Sequence, residues 1–144
     1  MPLVNVDENS IIGYHFHIYY YPNDSLDEIA IDQLFNYAKD QWGKELRVVM
    51  WKQIIGPHTL PFFEIDIIGK DLVQKHFTQV FNWVMMQCGG HGNGAGEKGR
   101  PVLLHPVFEN DSNQVQAHSI YSMWLGGRVP PVNLSVLKKF DDME

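Results

Sequence analysis

The chain has 144 residues, of which 44% are hydrophobic and 12% aromatic, and this composition is typical of a globular domain rather than a disordered segment. We expect one domain over residues 1–144, with a core between about 11 and 140. The net charge of -6 argues against nucleic-acid binding, the absence of a long apolar run argues against a membrane span, and the lone Cys88 indicates a cytoplasmic protein.

The first strand is predicted over residues 11–21, which are rich in β-branched and aromatic side chains and precede a Pro-Asn-Asp turn. A helix follows. Its predicted N-cap is Ser25, with Glu28 completing a capping box, and Gly43 ends it.

Two further strands are predicted at residues 46–55 and 60–68. The Gly-Pro-His-Thr sequence at residues 56–59 between them favours a hairpin with a tight turn. Residues 70–88 carry apolar side chains at helical spacing and predict the second helix. The glycine-rich stretch 89–99 then predicts a surface loop.

Residues 101–107 give a fourth strand, and the order βαββαβ predicts a ferredoxin-like α+β fold, an antiparallel sheet with both helices on one face. Residues 118–125 would add a C-terminal edge strand beside the fourth, and residues 133–139 a short terminal helix. One face of the sheet is then uncovered. We expect a homodimer, because an exposed sheet face with aromatic residues is costly for a monomer.

Histidines are predicted on that uncovered face. Side chains two residues apart in a strand share a face, so His15 and His17 lie together, opposite the apolar Phe16 and Ile18. The apolar pair should pack on the helices. The same alternation in the fourth strand places His105 on the uncovered side.

Other segments bring polar side chains toward this region. The fourth strand neighbours the first, and the fifth is predicted to begin at His118, near the same end. Glu64 reaches His17 if it shares the parity of Phe62, and His58 joins only if its loop folds over the sheet. Because neutral imidazole is a common ligand of transition metals, this convergence predicts a metal site.

Four short motifs make the chain similar to the DOPA 4,5-dioxygenase family of small extradiol dioxygenase-like proteins. They are YHFHIY at 14–19, IGPH at 55–58, LLHP at 103–106 and HSIYSMWLG at 118–126. The resemblance implies a ferredoxin-like fold and extradiol cleavage of a catechol, such as DOPA, by non-heme Fe(II). The positions that match are His15, His17, His58, His105 and His118.

Extradiol chemistry needs a metal with open positions, because the catechol chelates through both oxygens while dioxygen binds beside it. The usual ligands are two histidines and one carboxylate. The expected set is His17, His105 and either His118 or His15, with Glu64 as the carboxylate. Ferrous iron is the expected metal, with zinc as an alternative in the protein as purified.

A histidine that is not a ligand is expected to move protons, since an unperturbed imidazole titrates near pH 6.5. The candidates for this catalytic role are His58 and His15. Three aromatic residues are expected to pack on the substrate ring, namely Trp51, Phe62 and Trp124.

A second hypothesis is a dimeric ferredoxin-like binding module whose histidines hold a small ligand or a structural metal without turnover. Four protein ligands would favour structure, whereas three would favour chemistry. A third is that the histidines only hydrogen-bond within a dimer core. Under the first hypothesis the partners are a small aromatic substrate and dioxygen, with no nucleic acid and no membrane.

Overall fold

The structure of the chain is a computed structural model that describes residues 7–89, 99–111, 113–126 and 129–141. These residues form a five-stranded sheet and four α-helices. In chain order the elements are β1 Ile11–Tyr19, α1 Ser25–Trp42, β2 Arg47–Trp51, β3 Phe62–Ile68, α2 Lys70–Cys88, β4 Val102–Phe108, α3 Gln114–Ala117, β5 Met123–Leu125 and α4 Ser135–Asp141. Short 3-10 turns cover Glu8–Ser10 and Glu109–Asp111.

The sheet has the strand order β2-β3-β1-β4-β5, and each neighbouring pair is antiparallel. This confirms the predicted ferredoxin-like α+β fold with an added edge strand. The central strand β1 pairs His17 with Glu64 of β3, and pairs His15 with His105 of β4. Glu64 therefore has the parity that it needs to reach His17.

The apolar core lies between the sheet and the helices α1 and α2. Alternate residues of the strands enter it, including Phe16 and Ile18 of β1 and Ile65 of β3, which meet Ile31 of α1 and Val80 of α2. Burial of this apolar surface is the main force that holds the helices to one face of the sheet. None of the helices among the described residues has the length and apolar character that a membrane span requires.

The two long helices occupy the predicted segments, with one change at the start of α1. The N-cap is Asp24 rather than Ser25, because the Asp24 carboxylate accepts a hydrogen bond from the backbone N–H of Asp27 at 3.2 Å. Asp27 also forms a partly buried ion pair with Arg100, whose guanidinium donates to the carbonyl of Tyr19 at 2.9 Å. This contact ties α1 to the end of β1.

The predicted tight turn between β2 and β3 is wrong. Strand β2 ends at Trp51 and β3 begins at Phe62, so the connection is a long loop over residues 52–61. Pro61 lacks the N–H that the strand ladder would need, and the loop bonds instead to the C-terminal segment. The Asn133 N–H donates to the carbonyl of Pro57 at 2.7 Å.

The predicted fifth strand is shorter than residues 118–125, because β5 contains only Met123–Leu125. The residues before it form the helical turn α3, and His118 is its C-cap rather than the first residue of a strand. Local hydrogen bonds favour this turn, since His118 and Ser119 both bond through their side chains to carbonyls four residues earlier.

The sheet face opposite the long helices is covered, contrary to the prediction from the strand pattern. The loop 52–61 folds across it, α3 packs against β4, and α4 packs on α3. The Asp141 carboxylate joins the two short helices by accepting from the backbone N–H groups of Gln114 and Val115. Of the predicted glycine loop, residues 90–98 lie outside the described parts of the chain.

Candidate metal centre

A cavity of about 260 Å³ lies under the covering segments, on the sheet face opposite the long helices. Alternate side chains of the three inner strands β3, β1 and β4 point into it, because the pleat turns every second residue to this face. Its lining includes five histidines, His15, His17, His58, His105 and His118. The structure therefore brings together all five histidines named from the sequence.

One close pair of histidines in this cavity joins two neighbouring strands. The Nε2 atoms of His17 in β1 and His105 in β4 are 2.9 Å apart, and both side chains are almost fully buried. Their rings are stacked, with centroids 5.0 Å apart. The strand register holds this pair in place.

Backbone carbonyls fix the tautomers of two of the histidines. The Nδ1–H of His105 donates to the carbonyl of Pro106, and the Nδ1–H of His118 donates to the carbonyl of Gln114, each at 2.9 Å. A carbonyl can only accept, so in both neutral rings Nε2 keeps its lone pair. The ring centroids of His105 and His118 are 3.9 Å apart, which brings these two rings into one group.

The loop 52–61 folds over the sheet and places His58 in the cavity. This is the condition that the sequence analysis set for His58 to join the site. Its ring lies 4.3 Å from that of His17 between centroids. Its Nδ1 is hydrogen-bonded at 2.5 Å to the hydroxyl of Tyr19, a residue that the sequence analysis did not assign to the site.

The buried histidines are neutral near neutral pH. Burial, followed by the proximity of the other imidazoles, holds the pKa values of His17 and His105 well below the usual 6.5. Burial likewise lowers the pKa of His58 to about 3 and that of His118 to about 4. A neutral imidazole is the form that binds a metal.

The acidic residues form a separate group beside His15. One nitrogen of His15 is 3.5 Å from Asp66 and the other is 3.9 Å from Glu64. The Arg47 guanidinium bonds to Asp66 at 2.9 Å and to Glu64 at 3.2 Å, and the indole N–H of Trp51 donates to Glu64 at 2.6 Å. The two carboxyl groups thus already have charged and polar partners.

Burial, together with a smaller contribution from the neighbouring Asp66, raises the pKa of Glu64 to about 7. The pKa of Asp66 is also raised by burial, although Arg47 opposes this effect. Two carboxyl groups this close share a tendency to hold one proton.

The donor set fits a divalent transition metal. Two nitrogen ligands at right angles on one ion, each at about 2.1 Å, are about 3.0 Å apart, which matches the 2.9 Å between His17 and His105. The Nδ1 atom of His17 is buried and has no hydrogen-bond partner among the described residues. Two groups of three histidines each have one ring nitrogen per residue within 4.8 Å of the others in the group, and both groups contain His17. They are His15, His17 and His105, and His17, His58 and His118.

The three aromatic residues predicted to contact a substrate are in different places. Trp51 and Phe62 line the cavity. Trp124 lies outside the lining residues, and its ring stacks on that of Tyr19 with centroids 5.7 Å apart.

Three residues near the cavity were missed from the sequence, namely Tyr19, Asp66 and Arg47. Strand parity contained a signal for two of them, because Tyr19 is two residues after His17 and Asp66 two after Glu64. Arg47 could be placed only by the register of β2, which pairs it with Asp66.

The fold and the site together define a ferredoxin-like domain with a buried group of neutral histidines on its sheet. The sequence pattern of the Dopa 4,5-dioxygenase family matches residues 14–136, and the chain belongs to that family. No curated protein matches the chain.

Among solved structures, the chain is similar to a protein from Nostoc punctiforme PCC 73102 named as a putative dioxygenase. The two are 22% identical, the match covers 94% of this chain and 98% of the other, and the TM-score is 0.67. This likeness supports the fold.

Proposed function

We propose that the chain is a non-heme, metal-dependent extradiol dioxygenase that opens the ring of a catechol, with DOPA as the first substrate to test. Membership of the Dopa 4,5-dioxygenase family supports this activity class. The observation that carries the proposal is the meeting of His17, His105 and His118 as neutral, buried imidazoles around one cavity.

In this proposal His17, His105 and His118 hold ferrous iron. His118 is preferred to His15 because its Nε2 lone pair is set by a carbonyl, whereas both nitrogens of His15 lie near carboxylates. Glu64 is not needed as a ligand, since Trp51 and Arg47 already bond to it. The bound metal would supply a Lewis acid that binds both catechol oxygens and dioxygen side by side.

The size and lining of the cavity favour a small substrate. Its volume of about 260 Å³ is just below the usual range of about 300–1,000 Å³ for ligand pockets, which favours a single aromatic ring. Phe62 and Trp51 offer it aromatic surface, and Arg47 stands at the wall beside them. The second partner is dioxygen.

His58 is the proposed proton-transfer residue. It lines the same cavity as the three proposed ligands and is held by the Tyr19 hydroxyl rather than by a carbonyl. A positioned imidazole of this kind can donate a proton or a hydrogen bond to a bound substrate or to dioxygen. His15 faces the carboxylates of Glu64 and Asp66 and is the weaker candidate for this role.

The test is oxygen consumption by the chain loaded anaerobically with ferrous iron. We expect oxygen uptake and a yellow ring-opened product with DOPA or another catechol, and no uptake with the monophenol tyrosine. No oxygen uptake with any member of a catechol panel would contradict the proposed activity.

A variant pair tests the ligand assignment within that experiment. His17→Ala should lose iron binding and activity, because it removes the imidazole common to both groups of close nitrogens. His76→Ala is the control, since His76 bonds to Glu45 on the helix side of the molecule. Full iron occupancy in His17→Ala would show that the assignment is wrong.

A second candidate function is a structural metal site without turnover. The observation that favours it is the presence of four buried imidazoles around the cavity, enough to close a tetrahedral site. Nitric oxide distinguishes the two functions, because it binds ferrous iron only where a coordination position is open.

The homodimer and the cytoplasmic location stay predictions from the sequence.

A further inference from the structure

Tyr19 is a fully enclosed residue whose hydroxyl points at the site. Its side chain is 1% exposed, and it lies two residues after His17 on the same face of β1. Aromatic rings of Phe62 and Trp124 pack around it, and its hydroxyl is 2.5 Å from Nδ1 of His58. Among the described residues, the contact with His58 is the one hydrogen bond that the Tyr19 hydroxyl forms.

The direction of this hydrogen bond follows from satisfying the hydroxyl. If Nδ1 of His58 donated, the hydroxyl proton of Tyr19 would need a second acceptor, and its surroundings are the apolar side chains of Phe62, Leu103 and Trp124. A buried donor without a partner costs about 1–3 kcal/mol. The hydroxyl therefore donates, and Nδ1 of His58 accepts.

This arrangement differs from that of two other histidines of the cavity. His105 and His118 donate from Nδ1 to carbonyls and keep a lone pair on Nε2. When Nδ1 of His58 accepts, the single proton of its neutral ring is on Nε2 instead. A nitrogen that carries a proton cannot bind a metal, but it can donate a hydrogen bond.

We propose that Tyr19 is a positioning residue that selects the Nε2–H tautomer of His58, so that this histidine stays out of the metal coordination and presents a hydrogen-bond donor to the substrate or to dioxygen. The inference rests on the proposed function. It assigns different tasks to histidines that are chemically alike, through the group that contacts the second nitrogen of each ring.

The direct test is the tautomer of His58 in the zinc-loaded protein, read from the imidazole ¹⁵N chemical shifts by NMR. We expect an unprotonated Nδ1 and a protonated Nε2, and a change in this pattern in Tyr19→Phe. The control is Tyr20→Phe, which removes a hydroxyl from the next residue, whose side chain is in the core on the helix side. A protonated Nδ1 on His58 of the unaltered chain would overturn the inference.

Kinetics of the iron-loaded enzyme give a second readout. Tyr19→Phe should keep its iron and its KM and lose kcat by about 10- to 100-fold, within the usual range for a proton-transfer group. In a His58→Ala background the same change should have no further effect, because Tyr19 acts through His58. Additive losses in the double variant would contradict the proposed role.

The two readouts separate this inference from the proposed function. If the unaltered chain turns over no catechol, the proposed function fails, and the tautomer measurement still decides whether Tyr19 sets the proton on His58. If the chain is active and His58 carries its proton on Nδ1, the proposed function stands and the role of Tyr19 is wrong.

Discussion

At the scale of single residues, the histidines around the cavity differ in what contacts their second nitrogen. His105 and His118 bond to carbonyls, His58 bonds to a hydroxyl, and His15 lies beside the Asp66 carboxylate. Such partners fix the tautomer and orientation of an imidazole and change its basicity. The proposed division into metal ligands and a proton-transfer residue follows from these contacts.

Arg47 provides a prediction about stability. Arg47→Met should lower the free energy of unfolding at pH 8 by about 1–2 kcal/mol, because it leaves Glu64 and Asp66 buried without their guanidinium. The loss is smaller than for a fully buried pair, since Arg47 is half exposed. Urea unfolding measures it, with the exposed Lys44→Met as the control for loss of one positive charge.

The same variant should show a specific pH dependence. Burial raises the pKa of both carboxyl groups in the folded chain, that of Glu64 to about 7, so the folded state holds protons that the unfolded state releases. Stability from these groups therefore falls as the pH rises through 7. The cost of Arg47→Met should shrink between pH 8 and pH 5.5. An equal cost at both values would contradict the assignment of its partners.

At the scale of elements, the central strand β1 is the element on which the site depends. It carries His15, His17 and Tyr19 on one face, while Phe16 and Ile18 enter the core from the other. Pairing with β3 and β4 on both sides holds these side chains at fixed spacing. A distortion of β1 should therefore reach the site and the core together.

Gly13 tests this dependence. A Cβ atom at Gly13 would lie 2.2 Å from the carbonyl oxygen of Ile67 in the neighbouring strand, so Gly13→Ala should cost about 2–3 kcal/mol of stability and weaken metal binding. Gly56→Ala is the control. Gly56 has a φ of +61° with open space around it, and its cost should be about 1 kcal/mol. Equal costs would show that β1 tolerates the displacement.

Strand alternation was enough to predict the positions of His15, His17 and His105, because parity in a regular sheet depends only on sequence spacing. The face of Glu64 was left open and is decided by the pairing of β3 with β1. Strand alternation could not predict how His58 and His118 reach the cavity. Those two residues lie on a loop and at a helical turn, whose paths depend on long-range contacts such as that between Pro57 and Asn133. The same contacts cover the sheet face that the sequence pattern left open.

At the scale of the whole molecule, the sheet separates two regions of different chemistry. Its helix side is an apolar core, and its other side holds the titratable groups of the site. Cys88 belongs to the core and is 1% exposed, and burial raises the pKa of its thiol to about 12. Cys88 is therefore not among the residues that line the cavity.

Thiol reactivity checks the integrity of that core. Cys88 in the folded chain should react with a disulfide reagent at pH 8 far more slowly than a free thiol, and at the full rate in 8 M urea, about the concentration that unfolds most domains. The measurement is the absorbance of the released aromatic thiolate. Rapid reaction of the folded chain would mean that α2 does not pack as described.

The central claim is that imidazoles from distant parts of the chain bind one metal ion, and anomalous X-ray diffraction from a crystal of the iron-loaded protein tests it most directly. We predict one ion in the cavity, bonded to His17, His105 and His118 at about 2.1 Å, with His58 close by and not bonded. A cavity without an ion in a crystal that holds iron elsewhere, or an ion bonded to none of these three histidines, would contradict the account.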